Sequence, residues 1–207
     1  MYYVIPDIHG RYDLLEQALN YIYNKQDSGK IVFLGDYIDR GKQNVDVLLT
    51  VMNPPEGWKF VTLKGNHEQI FHLAYNRYCE YYDMKAVREI IDDDRIEMTK
   101  VVAWFEQLPI VHVQDKNIFV HAFYDSYTVP DKQNEDYVLW QRYSDTEAFV
   151  HPDGKFLTHG HTPRKNGPIV AKNRCNLDCG APYHGRLTIG EYKEGVAGPV
   201  SFVEFEG

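Results

Sequence analysis

The sequence predicts an α/β protein in which two mixed β-sheets pack against each other with helices on the outside. Two patterns point to it. A short apolar strand, a polar turn and a helix recur three times in the first 75 residues. Beyond about residue 110 the helical period gives way to short strands joined by tight turns. The length of 207 residues suits one such unit, and we read 1–207 as a single domain.

Taken in order, residues 2–6 read as a strand, and Asp7-Ile8-His9-Gly10-Arg11 turns into a helix from Tyr12 to Lys25. Ile31-Val32-Phe33-Leu34 is a buried type of strand that stops at Gly35-Asp36, and a helix from Asn44 to Met52 follows. The third strand, Phe60-Val61-Thr62-Leu63, ends at Gly65-Asn66-His67, and a helix begins near Glu68. Residues 83–107 read as one helical stretch, with Val87, Ile90, Ile91, Val101, Val102 and Phe105 as its apolar positions. Ile110–Val113 and Ile118–His121 form a hairpin around Asp115-Lys116-Asn117. The remaining strands are expected at Phe156–Thr158, Ile169–Ala171, Arg174–Leu177, Leu187–Tyr192 and Val200–Phe205.

Bulk properties exclude some functions. A formal net charge of −8 argues against a protein that coats nucleic acid or an anionic membrane, since both need a basic face. No apolar run approaches the length of a bilayer span. Met1 leads directly into Tyr-Tyr-Val-Ile, with no basic start and no cleavage-type segment, so a cytoplasmic location is expected. The three cysteines are read as reduced thiols, because Cys175 and Cys179 have no second pair to complete a zinc site.

The informative residues stand at strand ends. Asp7 and His9 follow the first strand, Asp36 the second, and Asn66 and His67 the third; His121 closes a later strand and His161 follows another. Loops converge where strands finish while the sheet stays rigid, so functional groups gather there. Carboxylates, imidazoles and one carboxamide are the donor mixture taken by Mn²⁺, Fe²⁺ or Zn²⁺. Taken singly, each has a plain reading: a turn carboxylate, a helix N-cap at Asn66, a hydrogen-bonded core histidine at His121. Their coincidence at five strand ends argues for a metal centre instead.

Three motifs stand in order: Pro6-Asp7-Ile8-His9-Gly10, Gly35-Asp36-Tyr37-Ile38-Asp39-Arg40-Gly41 and Gly65-Asn66-His67-Glu68. Val120-His121-Ala122, Trp140-Gln141-Arg142, Gly160-His161-Thr162-Pro163 and Leu177-Asp178-Cys179-Gly180-Ala181 follow. Together they resemble the signature of the phosphoprotein phosphatase family of calcineurin-like metallophosphoesterases, particularly its compact bacterial and phage serine/threonine phosphatases. Pro6 replaces the usual glycine, which a strand end needing no donor tolerates. Pro163 stands where other metallophosphoesterase branches carry a second histidine, which favours the phosphoprotein phosphatase branch.

The resemblance implies two divalent cations, Mn²⁺ first, with Fe²⁺ or Zn²⁺ as other candidates. One would sit on Asp7, His9 and Asp36, and the other on Asp36, Asn66, His121 and His161. It further implies a water held between the cations as nucleophile and His67 as the acid that protonates the departing alkoxide. Asp39 would orient His67, and Arg40 and Arg142 would clamp the phosphate. His159 is read as structural or as support for the ligands, and His72, His112, His151 and His184 as structural or exposed. The expected partner is a phosphoprotein or a phosphorylated small molecule acted on by a monomer, with no membrane and no bulk nucleic acid. A dinucleoside polyphosphate hydrolase, similar to the symmetrical diadenosine tetraphosphatases, is the second reading; Tyr78, Tyr81 and Tyr82 are candidates for stacking on its adenine. An inactive metal-binding scaffold is the third, and the complete ligand and acid set argues against it.

Overall fold

A computed structural model describes residues 1–75 and 85–207. The first sheet contains β1 (Tyr2–Ile5), β2 (Gly29–Phe33), β3 (Trp58–Thr62), β9 (Arg186–Tyr192) and β10 (Ser201–Glu206), in the order β10-β9-β1-β2-β3. The second contains β4 (Val111–Gln114), β5 (Asn117–Val120), β6 (Phe156–His159), β7 (Ile169–Ala171) and β8 (Arg174–Asn176), in the order β4-β5-β6-β8-β7. Strands β1, β2 and β3 are mutually parallel, as are β5, β6 and β8, and the remaining pairings are antiparallel. These two parallel triplets are the frame on which the site is built.

Strand alternation explains why the sheets pack. Tyr2, Val4, Val32 and Leu34 point to one face and join Phe119, Cys175 and Leu177 of the other sheet in a single buried cluster. Tyr3, Ile5, Ile31 and Phe33, the intervening residues, point to the opposite face and meet the helices. Both faces are covered, so these strands read as nearly continuous apolar runs rather than alternating ones. Each large apolar side chain buried this way contributes about 1.5–3 kcal/mol.

The helices are α1 (Tyr12–Lys25), α2 (Asn44–Met52), α3 (Asn66–Tyr75), α4 (Lys85–Asp92), α5 (Met98–Gln107), α6 (Glu135–Trp140) and α7 (Ala181–His184). Helix α1 buries Leu14, Leu15, Ala18, Leu19 and Ile22, one stripe at helical spacing, against the first sheet. Helix α6 sends Val138 to the outer face of the second sheet, among Ile118, Val120 and Leu157.

The expected single helix over 83–107 is interrupted. Its described part forms α4 and α5, with a break after Asp92. Asp93 takes the backbone N–H of Arg95 at 2.9 Å and pairs with its guanidinium at 2.7 Å, a local alternative to helix hydrogen bonding. Helices α6 and α7 were not anticipated, being too short to show a period. Cys175 and Cys179 are buried free thiols, raised to about 12 and about 11 by burial. Tyr78, Tyr81 and Tyr82 lie outside the described residues.

Candidate active site

Five strands of the two parallel triplets deliver their carboxyl ends to one place. Asp7 and His9 follow β1, Asp36 follows β2, Asn66 follows β3, His121 follows β5 and His161 follows β6. Eight of the ten predicted residues line one cavity of about 340 Å³: Asp7, His9, Asp36, Arg40, Asn66, His67, Arg142 and His161. The other two adjoin it. His121 is fully buried behind Asn66 and His161, and Asp39 is bonded to His67.

The connecting loops are held in uncommon backbone conformations. Among the described residues seven non-glycine residues have positive φ, and five are site residues: His9, Asp36, Asp39, Arg40 and His161. Such conformations persist only where the surroundings over-determine them, and they cluster at functional sites. Here the first two loops brace each other. The N–H groups of Ile8 and His9 both reach Asp36 O at 3.0 and 2.9 Å, and Gly41 N donates to His9 O at 2.9 Å. Gly65 has to be glycine, because a Cβ there would collide with the carboxylate and backbone nitrogen of Asp36.

Glu68 fixes the same crossing from below. This fully buried carboxylate accepts the N–H groups of Asp36, Tyr37 and Gly65 at 2.9, 2.9 and 2.8 Å. Burial and the nearby Asp36 push its carboxyl up to about 7. Asp36 itself lies well below the usual carboxylate range. Burial opposes this, but the imidazoles of His121, His67 and His9 outweigh it.

Two groups of donors converge on Asp36. His121 Nδ1 faces Leu34 O at 2.9 Å, and a carbonyl can only accept, so Nδ1 carries the hydrogen and Nε2 presents a lone pair. That lone pair lies 2.9 Å from Asn66 Oδ1, 3.1 Å from His161 Nδ1 and 3.5 Å from Asp36 Oδ2. By the same logic His9 donates from Nδ1 to Ile38 O at 2.8 Å and turns Nε2 to Asp36 Oδ2 at 3.3 Å. Electron-rich atoms aimed at one another inside a protein are unfavourable unless a cation lies between them. Two of the imidazoles are also shifted toward the neutral form that metals bind: burial lowers His121, and burial together with His121 takes His161 down to about 3. The residues therefore fit two divalent cations sharing Asp36. Cations held there supply Lewis acidity toward a phosphoryl oxygen and an ionised water near neutral pH.

Asp7 and His67 refine this picture. By distance alone His67 groups with His9 and Asp36. Its ring nitrogens are engaged elsewhere, however: Nδ1 with Asp39 Oδ2 at 2.6 Å and Nε2 with the Arg40 guanidinium at 3.2 Å. Asp7 accepts His161 N at 3.1 Å on both oxygens, and burial with Asp178 and Asp36 nearby raises it well above the carboxylate range. A first-site cation would draw on it while relieving that repulsion. His67 is raised above the usual imidazole value; burial opposes the rise, and Asp36 and Asp39 outweigh burial.

Asp178 also lines the cavity, and residue-level reasoning did not single it out. It is buried, bonds Gly180 N at 2.8 Å, and burial raises its carboxyl to about 6. It follows β8 as Asp7 follows β1, two residues beyond the strand, so the strand-end pattern was the available signal.

Arg142 reaches the cavity from the segment after α6, which buried Arg174 anchors. Arg174 donates to Glu147 O, Ser144 O and His159 Nε2 at 3.0, 2.7 and 2.8 Å and lies 4.7 Å from the centre of the Tyr143 ring. His159 thus supports the second sheet, with Nδ1 on Gly160 O and Nε2 on Arg174, so neither ring nitrogen is left for a metal. Arg174→Met leaves those acceptors unpaired at a cost on the order of 3 kcal/mol. A fall of about 6–12 °C in melting temperature is expected, with a raised KM for any phosphate substrate as Arg142 loosens.

These features define a metallophosphoesterase centre. The calcineurin-like phosphoesterase family model matches residues 2–186, and the chain belongs to that family. It is 32% identical to serine/threonine-protein phosphatase 2 of Salmonella typhimurium over 72% of this chain and 73% of that protein, a likeness that supports the phosphoprotein phosphatase branch. It is 28% identical to an asymmetrical bis(5'-nucleosyl)-tetraphosphatase, PrpE, of Anoxybacillus flavithermus, over 94% of this chain and 91% of the relative. A solved structure provisionally named a diadenosine tetraphosphatase superposes with a TM-score of 0.73 at 20% identity, covering 100% of this chain and 93% of that one, which shows the shared fold. No helix among the described residues is long and apolar enough to cross a membrane.

Proposed function

We propose that the protein hydrolyses phosphate monoesters, as a serine/threonine-type protein phosphatase, with two divalent cations, Mn²⁺ first among them. His9, Asp7 and Asp36 would hold one; Asp36, Asn66, His121 and His161 would hold the other. The carrying observation is the convergence of the His9, His121, His161 and Asn66 donor atoms on one buried carboxylate. Arg40 and Arg142 bind the phosphate oxygens, since a guanidinium fork matches two of them. Arg40 now donates to His67 Nε2. A phosphate that draws the guanidinium to its own oxygens frees Nε2 to take a proton from water, and Asp39 stabilises the resulting imidazolium, which passes that proton to the departing alkoxide.

One observation favours a dinucleoside polyphosphate as the second reading. Trp140 and Tyr183 line the cavity although both are substantially exposed, and both are fixed, Trp140 by Nε1 on Gln69 at 2.7 Å and Tyr183 by Arg40 at 5.1 Å. Held aromatic faces at a polar cavity suit a nucleobase. The test offers Mn²⁺-loaded protein a phosphothreonine peptide and diadenosine tetraphosphate in parallel. Peptide turnover faster by orders of magnitude is the expected result, and preferential cleavage of the dinucleotide replaces the first reading with the second.

A further inference from the structure

We propose that the catalytic cavity continues past Tyr183 into a second anion site, built around Lys165, that receives a further phosphate of an oligophosphate-bearing substrate. This rests on the phosphoester hydrolase reading above, and it adds a subsite that decides which phosphate compounds are held well.

Tyr183 lines two cavities at once, the catalytic one and a neighbour of about 530 Å³ whose other walls are Lys165, Asn166, His184 and Arg186. The two differ in charge. Asp7, Asp36 and Asp178 all face the catalytic cavity, so the charge of cations bound there is largely met by these carboxylates and the reacting phosphate. Among the described residues no carboxylate lines the neighbour, although the chain as a whole carries a net charge of −8. An acidic protein with a pocket that carries a lysine and an arginine beside its phosphate site has a local field suited to an anion.

The pocket also has a defined frame. Arg186 Nη1 donates to Lys165 O at 2.9 Å and fixes the backbone that carries the lysine. The rest of the Arg186 guanidinium lies 3.3 Å from Glu204 and Glu206, so much of its charge is already met. Lys165 is exposed on the same wall and supplies the ammonium for a ligand. Arg40 stacks on Tyr183 and faces the reacting phosphate, so a chain of phosphates can run from Arg40 along the ring to Lys165. A lysine suits that end, because it meets a phosphate as a point charge without demanding one orientation.

The test compares wild type, Lys165→Glu, Lys165→Ala and Lys165→Arg, all full-length and loaded with Mn²⁺, on diadenosine tetraphosphate and p-nitrophenyl phosphate. The quantity read is the ratio of kcat/KM for the tetraphosphate to that for the aryl phosphate. We expect Lys165→Glu to lower this ratio at least tenfold through KM, Lys165→Ala to lower it less, and Lys165→Arg to restore most of it. The difference should shrink at high salt. Inorganic tripolyphosphate, with free Mn²⁺ held constant, should lose potency as a competitive inhibitor of Lys165→Glu by the same factor. An unmoved ratio overturns the proposal, as does a wild type that cleaves the aryl phosphate and a phosphothreonine peptide but not the tetraphosphate. A wild type inert on the aryl phosphate overturns the underlying hydrolase reading instead.

Discussion

Asp36→Asn is expected to lose metal binding and phosphoesterase activity together, with kcat/KM down by about 10³-fold or more. Both donor groups meet on this one carboxylate, His9 at 3.3 Å and His121 at 3.5 Å from the same Oδ2. A carboxamide of the same shape that keeps its oxygen on His67 N turns an NH2 group, which cannot bind a cation, to the position both donor groups reach. The substitution should leave the fold intact. Asp36 has φ of 54°, a region that asparagine tolerates well, and the carboxamide oxygen can still accept His67 N, now at 2.9 Å. Without metal the variant should be somewhat less stable than wild type near neutral pH, because the folded site holds Asp36 well below the usual carboxylate range and its charge therefore contributes to stability there, although Asp7, Glu68 and Asp178 stand nearby. Wild type should gain about 2.7 kcal/mol from Mn²⁺ at a hundredfold excess over its dissociation constant, a rise of about 5–11 °C in melting temperature. The variant should gain little. A calorimetric scan of both proteins, with Mn²⁺ and with chelator, checks this.

The second large effect concerns the acid. His67→Asn should bind metal as wild type does, because the imidazole is tied to Asp39 and Arg40 and only the residue's backbone N–H reaches Asp36. Turnover of a serine phosphate should fall by about 10²–10⁴-fold, the usual worth of a positioned general acid. A p-nitrophenyl ester should be much less affected, since its leaving group departs without a proton. The comparison is made in kcat on both esters, with metal content measured in parallel. A variant fully active on serine phosphate would remove His67 from the mechanism.

Much of this site was legible because its residues follow a geometric rule. Parallel strands end on one side, so a carboxylate or imidazole just beyond each end is a site candidate before any fold is known. Asp7, Asp36, Asn66, His121 and His161 obey it. Asp178 obeys it too, directly after the expected strand Arg174–Leu177, but the sequence shows it only as part of a motif. The bounds of α1 and α2 were readable because each presents a regular apolar stripe of at least nine residues. The break between α4 and α5 was not, since apolar spacing continues across it while Asp93 and Arg95 close a local turn.

Glu68 illustrates a different limit. It was visible as part of a motif, yet its three N–H partners include residues 31 and 32 positions earlier in the chain, and only the folded crossing reveals them. Tyr183 and Lys165 likewise acquire meaning from the cavities they border. Neither carries a periodic or motif signal in the sequence.

The most direct test of the account is the metal content of the active chain. Protein stripped with chelator and reloaded with Mn²⁺ should bind two ions per chain by elemental analysis, and hydrolysis of an aryl phosphate should vanish on stripping and return on reloading. Asp36→Asn, treated identically, should retain neither. Undiminished hydrolysis by the stripped protein, or two ions retained by Asp36→Asn, would contradict a centre in which two cations share that carboxylate.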